Sequence, residues 1–459
     1  MYLFLFACST APPESGHSVA GDRHSEDSTG PVDSGVDMGT LLRSPTAAAP
    51  DNGALGGLSI LPHIGHVSAT TATVWVRLSE QGRFRVLYQA AGGSLERTAW
   101  RSVAEARDYT GQITLHTLLP ATAYSYMVEV KGGRSSPVRS FSTLPPPGEG
   151  VARVGLMADG RSRVPTPIYG RLAAENLDMV LQIGDFDHRD PYDVGGLDPE
   201  AWWDMYRDLL GGETSGQDLQ RLLLPTTPLL MMWDDHDYGS DNGHRNMPYR
   251  DVARSAFAAY VGRDVGQNGE FWTRVSDGPL DIFLLDLRSE RDDHQLPDGP
   301  DKSMIGELQW SWLKAELLAS TAPFKLLVST VPLNPTTEKT DAWYGYENER
   351  QRLLRWLQQN HLSNVVVVSG DIHTGGAIDD GSHSGLPEMN LPTMNLHGEH
   401  VTAPVPGSWS EGVYDGDDRM GYGVIEVRYD SGARRWACIL STFDELGRRR
   451  QTLRLLASP

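Results

Sequence analysis

The stretch LLLPTTPLLMMWDDHDYGSDNGH, residues 222–244, sets the frame for the rest of the chain. The apolar run from Leu229 to Trp233 reads as a buried strand. It ends in Asp234, Asp235, His236 and Asp237, with Asp241 and His244 close behind. Carboxylates crowded at the mouth of a strand repel one another, and a packed chain tolerates buried charge only when it is paired or bound to metal. This strand end asks for a cation.

Working outward, the same alternation of buried strands and amphipathic helices extends over residues 151–459. VARVGLMAD, LDMVLQIGD, TPLLMMWDD, LDIFLLDLR, FKLLVSTVP and NVVVVSGDIH read as strands. TPIYGRLAAEN, AWWDMYRDLLG, YRDVARSAFAAYV, ELQWSWLKAELLAS and NERQRLLRWLQQN read as helices. That is an α/β layered arrangement. In open α/β sheets, ligands sit beyond the carboxyl ends of the strands, and here nearly every strand end carries Asp, His or Arg. Asp159 closes the first, Asp185 the second with His188 after it, Asp235 and His236 the third, and Asp371 with His373 a later one. A single strand-end Asp is commonly a helix N-cap. Four such ends, with Asp and His paired, point instead to a metal site. Asp and His donors without cysteine suit Fe, Mn, Zn or Ca, and two ions close together are the usual device for in-line displacement at phosphorus.

Before this region, residues 57–144 carry short alternating strands, with Val74, Val76 and Leu78 in one and Arg83 to Tyr88 in another, punctuated by Gly and Pro. They predict a small β-sandwich of fibronectin type III-like form, whose simplest role is a spacer or lid. The proline cluster PPPGEG, 145–150, marks the boundary. Residues 9–56 have the Ser, Gly, Pro, Thr, Asp and Ala composition of a flexible linker. The run MYLFLFAC, residues 1–8, resembles the end of a lipoprotein signal whose cysteine, Cys8, is lipidated, although Phe6 is bulky and no basic residue precedes the run. The expectation is an exported protein of the bacterial cell envelope, held to a membrane through Cys8. Replacing Cys8 with serine should then release it, with fractionation of membranes as the check; an unchanged membrane-bound fraction overturns the expectation.

The formal net charge is −20, which leaves no broad basic surface for nucleic-acid backbones. An anionic substrate must therefore be drawn in by local cations. The two cysteines, Cys8 and Cys438, form no disulfide framework, and Cys438 in its alternating stretch reads as a buried strand residue.

Taken in order, the GD after a buried strand, WDDHDYG (233–239), LDLRSER (285–291), QWSWLKAEL (309–317) and VVVVSGDIH (365–373) resemble the PhoD-like alkaline phosphatase and phosphodiesterase family. That family is a branch of the calcineurin-like metallophosphoesterases. The resemblance covers residues 60 to 445 and implies a metallophosphoesterase-type layered α/β sandwich behind the smaller β-sandwich. It also implies hydrolysis of phosphate monoesters or diesters outside the cytoplasm, by a dinuclear centre whose activated hydroxide attacks phosphorus in line. Asp159 matches the first-metal ligand, Asp185 the bridging carboxylate, and Asp371 and His373 the pair that closes the site. His188 falls where members often carry a tyrosine ligand. Asp235 stands where the superfamily has a second-metal asparagine, and His236 where it has a histidine that contacts phosphate. Arg161 replaces a histidine ligand and reads as a phosphate clamp, since guanidinium cannot ligate a metal. Arg288 reads either as a second phosphate group or as a salt-bridge partner of Asp286. The usual second-metal histidine has no counterpart. Ser329, Asn334, His397 and His400 are the candidates to fill the gap. The alternative is a catalytically faded surface lipoprotein that binds a phosphorylated ligand or a metal ion.

Overall fold

The computed structural model describes residues 57–212, 214–266, 269–335, 338–396, 407–414 and 420–458. The run at Cys8, the linker 9–56, His397 and His400 lie outside the described residues.

Two six-stranded mixed sheets form the larger part. The first runs, in spatial order, through Leu229–Met231, Met179–Gln182, Ala152–Met157, Gly421–Asp430, Arg435–Asp444 and Arg449–Leu456. Its first three strands are parallel and the last three add antiparallel. The second runs through Thr273–Asp277, Leu280–Leu284, Phe324–Val328, Val365–Ser369, Glu388–Asn390 and Ala377–Asp379, with its four central strands parallel. All six strands read from the sequence are present. Cys438 is buried on Arg435–Asp444.

Side chains on a strand alternate between faces, and the second sheet uses both. Ile282, Leu284, Leu326, Val328, Val366 and Val368 join the cluster that also holds Val154, Leu156, Val180 and Leu181 of the first sheet. Phe283, Leu327, Val365 and Val367 face away, onto Trp310, Leu313, Leu353 and Leu357. Those four come from the helices Gly306–Ala319 and Glu347–Gln359. Arg350, Leu353 and Leu357 recur at the helical spacing that puts one stripe inward. The result is a layered α/β sandwich whose strand carboxyl ends are free to carry a site.

The N-terminal sandwich has a three-stranded sheet, Leu58–Val67, Ala72–Leu78 and Thr110–Leu115, and a five-stranded one that includes Gly82–Ala90 and Ala123–Val130. It packs closely against the α/β layers. Strict alternation would put Trp75 in solvent between Val74 and Val76, yet all three are fully buried. The far face of this strand is covered by the helix Arg250–Tyr260, and Trp75 Nε1 donates to Ala259 O at 2.8 Å. At Gly65 a side chain is impossible, because a Cβ would stand 2.0 Å from Gly262 O. Buried Arg139 reaches across to Gln220 O at 2.9 Å and Leu224 O at 3.2 Å. Asp108 accepts from Arg77, Arg207 and Tyr260. Exposing the buried Trp75 ring would by itself cost on the order of a few kcal/mol. The sandwich is thus locked onto the α/β layers by buried contacts.

Candidate metal centre

Each strand end turns sharply to bring its carboxylate inward. Asp159, Asp185, Asp371 and His373 all adopt positive φ, at 53°, 50°, 74° and 53°. Aspartate visits this left-handed region more readily than most residues, but four instances in one place store strain that the surrounding packing must hold. Gly184, at φ +104°, lets the second strand end lie against the third: a Cβ there would meet Asp234 Cβ at 2.5 Å. The glycine preceding Asp185 thus serves the approach of two strand ends.

Asp185 is the hub. Its carboxylate lies within 4.8 Å of ligand atoms in three groups: with His188 and His236, with Asp159 and His373, and with Asp234 and Asp235. A fourth group joins Asp235, Asp341 and Asp371. His188 Nε2 is 3.5 Å from Asp185 Oδ2 and 3.3 Å from His373 Nε2. The His188 Nδ1 position faces Gly160 O at 3.1 Å, so that backbone carbonyl orients the ring. Asp371 N donates to Asp159 Oδ1 at 3.0 Å, tying the first and the later strand ends together. His236 is held by Asp190 through Nδ1 at 2.8 Å.

The electrostatics are those of a buried cluster of like charges. Burial first, and then the neighbouring Asp371, pushes the Asp159 carboxyl up to about 8. Burial, with Asp235 and Asp234, drives Asp185 well above the usual carboxylate range. Burial raises Asp371 to about 7 although Lys339 pulls the other way. Burial also holds His188 well below the ordinary imidazole value, with His236 and His373 adding to it. Burial opposes charge on His236 too, but Asp235 and Asp190 outweigh it and push the ring up to about 9. Four buried carboxylate oxygens, Asp159 Oδ2, Asp185 Oδ1, Asp341 Oδ2 and Asp371 Oδ2, accept no hydrogen bond among the described residues. Each such orphan costs about 1–3 kcal/mol or more. Oxygen and imidazole donors arranged in this way fit hard or borderline metal ions.

The family model described as PhoD-like phosphatase matches residues 164–408, more than half of the chain. The chain belongs to this family. A second model, a domain of unknown function, matches residues 56–147, the N-terminal sandwich. Alkaline phosphatase D of Bacillus subtilis (strain 168) is 26% identical over 309 residues, 57% of this chain and 52% of the relative. The chain thus spans about half the length of that curated relative. A solved structure of PhoD superposes with a TM-score of 0.69 at 18% identity, covering 90% of this chain and 94% of that one. That likeness is one of fold.

In this member of the PhoD-like phosphatase family, the structure brings together Asp159, Asp185, His188, Asp235, His236, Asp371 and His373. Arg161 lies on the exposed rim, its backbone fixed by Asn395 through both Arg161 N and Arg161 O. Arg288 does not pair with Asp286, the salt-bridge partner read from the sequence. Its guanidinium is fully buried and forks onto Asp234, with Nη2 to Oδ2 at 2.8 Å. Asp286 instead accepts from the backbone of Arg288 and Ser289 and from Trp233 Nε1. Ser329 and Asn334 are both buried, with side-chain donors engaged by backbone carbonyls. Ser329 Oγ donates to Val331 O, and Asn334 Nδ2 donates to Ser408 O. The same loop does deliver two groups the sequence reading missed, Lys339 and Asp341. Lys339 Nζ lies 2.6 Å from Asp371 Oδ1 and 3.5 Å from Asp341 Oδ2. Asp190 was missed as well. The signal for Asp341 is its place in the loop that follows the buried strand Phe324–Val328, since the neighbouring parallel strand Val365–Ser369 is followed by Asp371, which enters the site.

Proposed function

We propose that this chain hydrolyses phosphate monoesters or diesters at a dinuclear metal centre. The observation that carries the reading is the position of Asp185 in three ligand groups at once, surrounded by carboxylate oxygens that accept no hydrogen bond. Two divalent or trivalent ions, from Fe, Mn, Zn or Ca, would supply Lewis acidity toward the phosphoryl oxygens and acidify the attacking water. Asp159, Asp185, His188 and His373 would hold one, and Asp235, Asp341 and Asp371, with Asp185 beside Asp235, the other. With Nδ1 committed to Asp190, His236 keeps Nε2 to hold a proton for the leaving oxygen. Arg161 at the rim clamps phosphate. Arg288 neutralises Asp234 from beneath and so sets the charge of the site without touching substrate. The envelope location and the Cys8 anchor are proposed on the sequence reading alone.

The metal-loaded protein should release nitrophenol from p-nitrophenyl phosphate, from bis(p-nitrophenyl) phosphate, or from both. Binding of inorganic phosphate by fully loaded protein, with no turnover of either ester, would overturn the hydrolase reading. That outcome would establish the faded binding protein in its place.

A further inference from the structure

The two halves of the centre are not charged alike. Neither Asp159 nor Asp185 forms an ion pair with an arginine or lysine among the described residues; their ion-pair neighbours are His373 and His188. The Asp235–Asp341–Asp371 half is approached from two sides by side-chain cations. Arg288 lies 3.3 Å from Asp235, 3.7 Å from Asp371 and 3.9 Å from Asp341. Lys339 adds its contacts of 2.6 Å to Asp371 and 3.5 Å to Asp341.

These two cations differ in what they can do. Arg288 is 0% exposed and locked onto Asp234 by a planar fork. Lys339 presents a point charge on a flexible stem, and a quarter of its side chain is exposed. Its loop is nevertheless a built element. Trp343, fully buried, anchors it through Nε1 to Ser329 Oγ at 3.0 Å, and Arg291 Nη1 holds Asp341 O at 2.7 Å. Backbone and acid are therefore fixed while the ammonium is displaceable.

We propose that the Lys339 ammonium is a built-in cation in the Asp235–Asp341–Asp371 half. The chain then holds one metal ion tightly at Asp159, Asp185 and His373, and admits a second only when Lys339 withdraws from Asp371. This rests on the metal-centre reading above and makes Lys339 a positioning residue that governs metal stoichiometry. An ammonium so close to two carboxylates competes directly with an incoming ion, because each removes the charge repulsion that the other would relieve.

The test counts ions. Full-length protein stripped with chelator is titrated with Mn2+ by calorimetry, with free Mn2+ followed by electron paramagnetic resonance. Wild type should show one tight site and a second weaker by about tenfold or more. Lys339→Met should tighten the second site by about the same factor, and Lys339→Arg, which keeps the charge, should leave it weak. Two equally tight sites in wild type overturn the inference, as does an unchanged second affinity in Lys339→Met. Should circular dichroism show that Lys339→Met does not fold, the wild-type stoichiometry alone decides. No binding of Mn2+ at all overturns the inference together with the metal-centre reading, which two equal sites would leave standing.

Discussion

Asp185→Asn is expected to lose turnover by about a thousandfold or more, since several kcal/mol of charge stabilisation go with the metal pair and each 1.4 kcal/mol is tenfold in rate. The substitution keeps the size of the side chain and removes one negative charge. It does so at the residue shared by three of the four ligand groups, so no neighbour can substitute for it. The amide nitrogen also places a donor where a ligand oxygen belongs, beside His188 at 3.5 Å and the carboxylates of Asp234 and Asp235. Folding should survive, because the amide matches the carboxylate in size and relieves repulsion from Asp235 and Asp234. The check is a parallel measurement of metal content and of aryl phosphate hydrolysis in both proteins. A variant with wild-type metal content and wild-type turnover would end the dinuclear reading. Full metal content with lost turnover would shift Asp185 from bridging ligand to a group that acts on substrate.

Much of this site was legible because its residues follow strands of an unambiguous kind. Runs such as VVVVS at 365–369 can only be buried in a layered sheet, and a charge placed directly after them has nowhere to go but the strand mouth. Asp159, Asp185, Asp235 and Asp371 all fall in that class. Asp341 does not. It sits in a loop well beyond the end of its strand at Val328, and only the packing of Trp343 and the hold of Arg291 on its carbonyl fold it back. Arg288 was visible as a residue but not as a contact, because a sequence offers Asp286 two positions away and hides Asp234 across the fold. Trp75 failed for a related reason. Alternation describes a sheet with one wet face, and here the helix Arg250–Tyr260 covers the face that the pattern assigns to solvent.

Removal of the ions should lower the melting temperature by on the order of 10 °C, as well as abolish hydrolysis. Ligands that bind only the folded state stabilise it by mass action, about 4 kcal/mol per site at a thousandfold excess over the dissociation constant. For a chain larger than about 250 residues each kcal/mol moves the midpoint by roughly 2 °C or less. The carboxylates lost to mutual repulsion are the same ones that hold the strand ends in their left-handed turns, so the cost falls where Asp159, Asp185 and Asp371 store strain. The sandwich interface at Trp75 carries no ligand group among the described residues and should keep its packing. Loss should therefore show first as faster hydrogen exchange at the strand ends 158–160, 184–188 and 370–374, ahead of global unfolding. Scanning calorimetry of metal-loaded protein with and without a strong chelator measures the shift, and re-addition of Mn2+ should restore it. An unchanged midpoint in protein first shown to be loaded would mean that the acids are neutralised from within, by protons and by Arg288 and Lys339, and that metal contributes to chemistry without holding the fold.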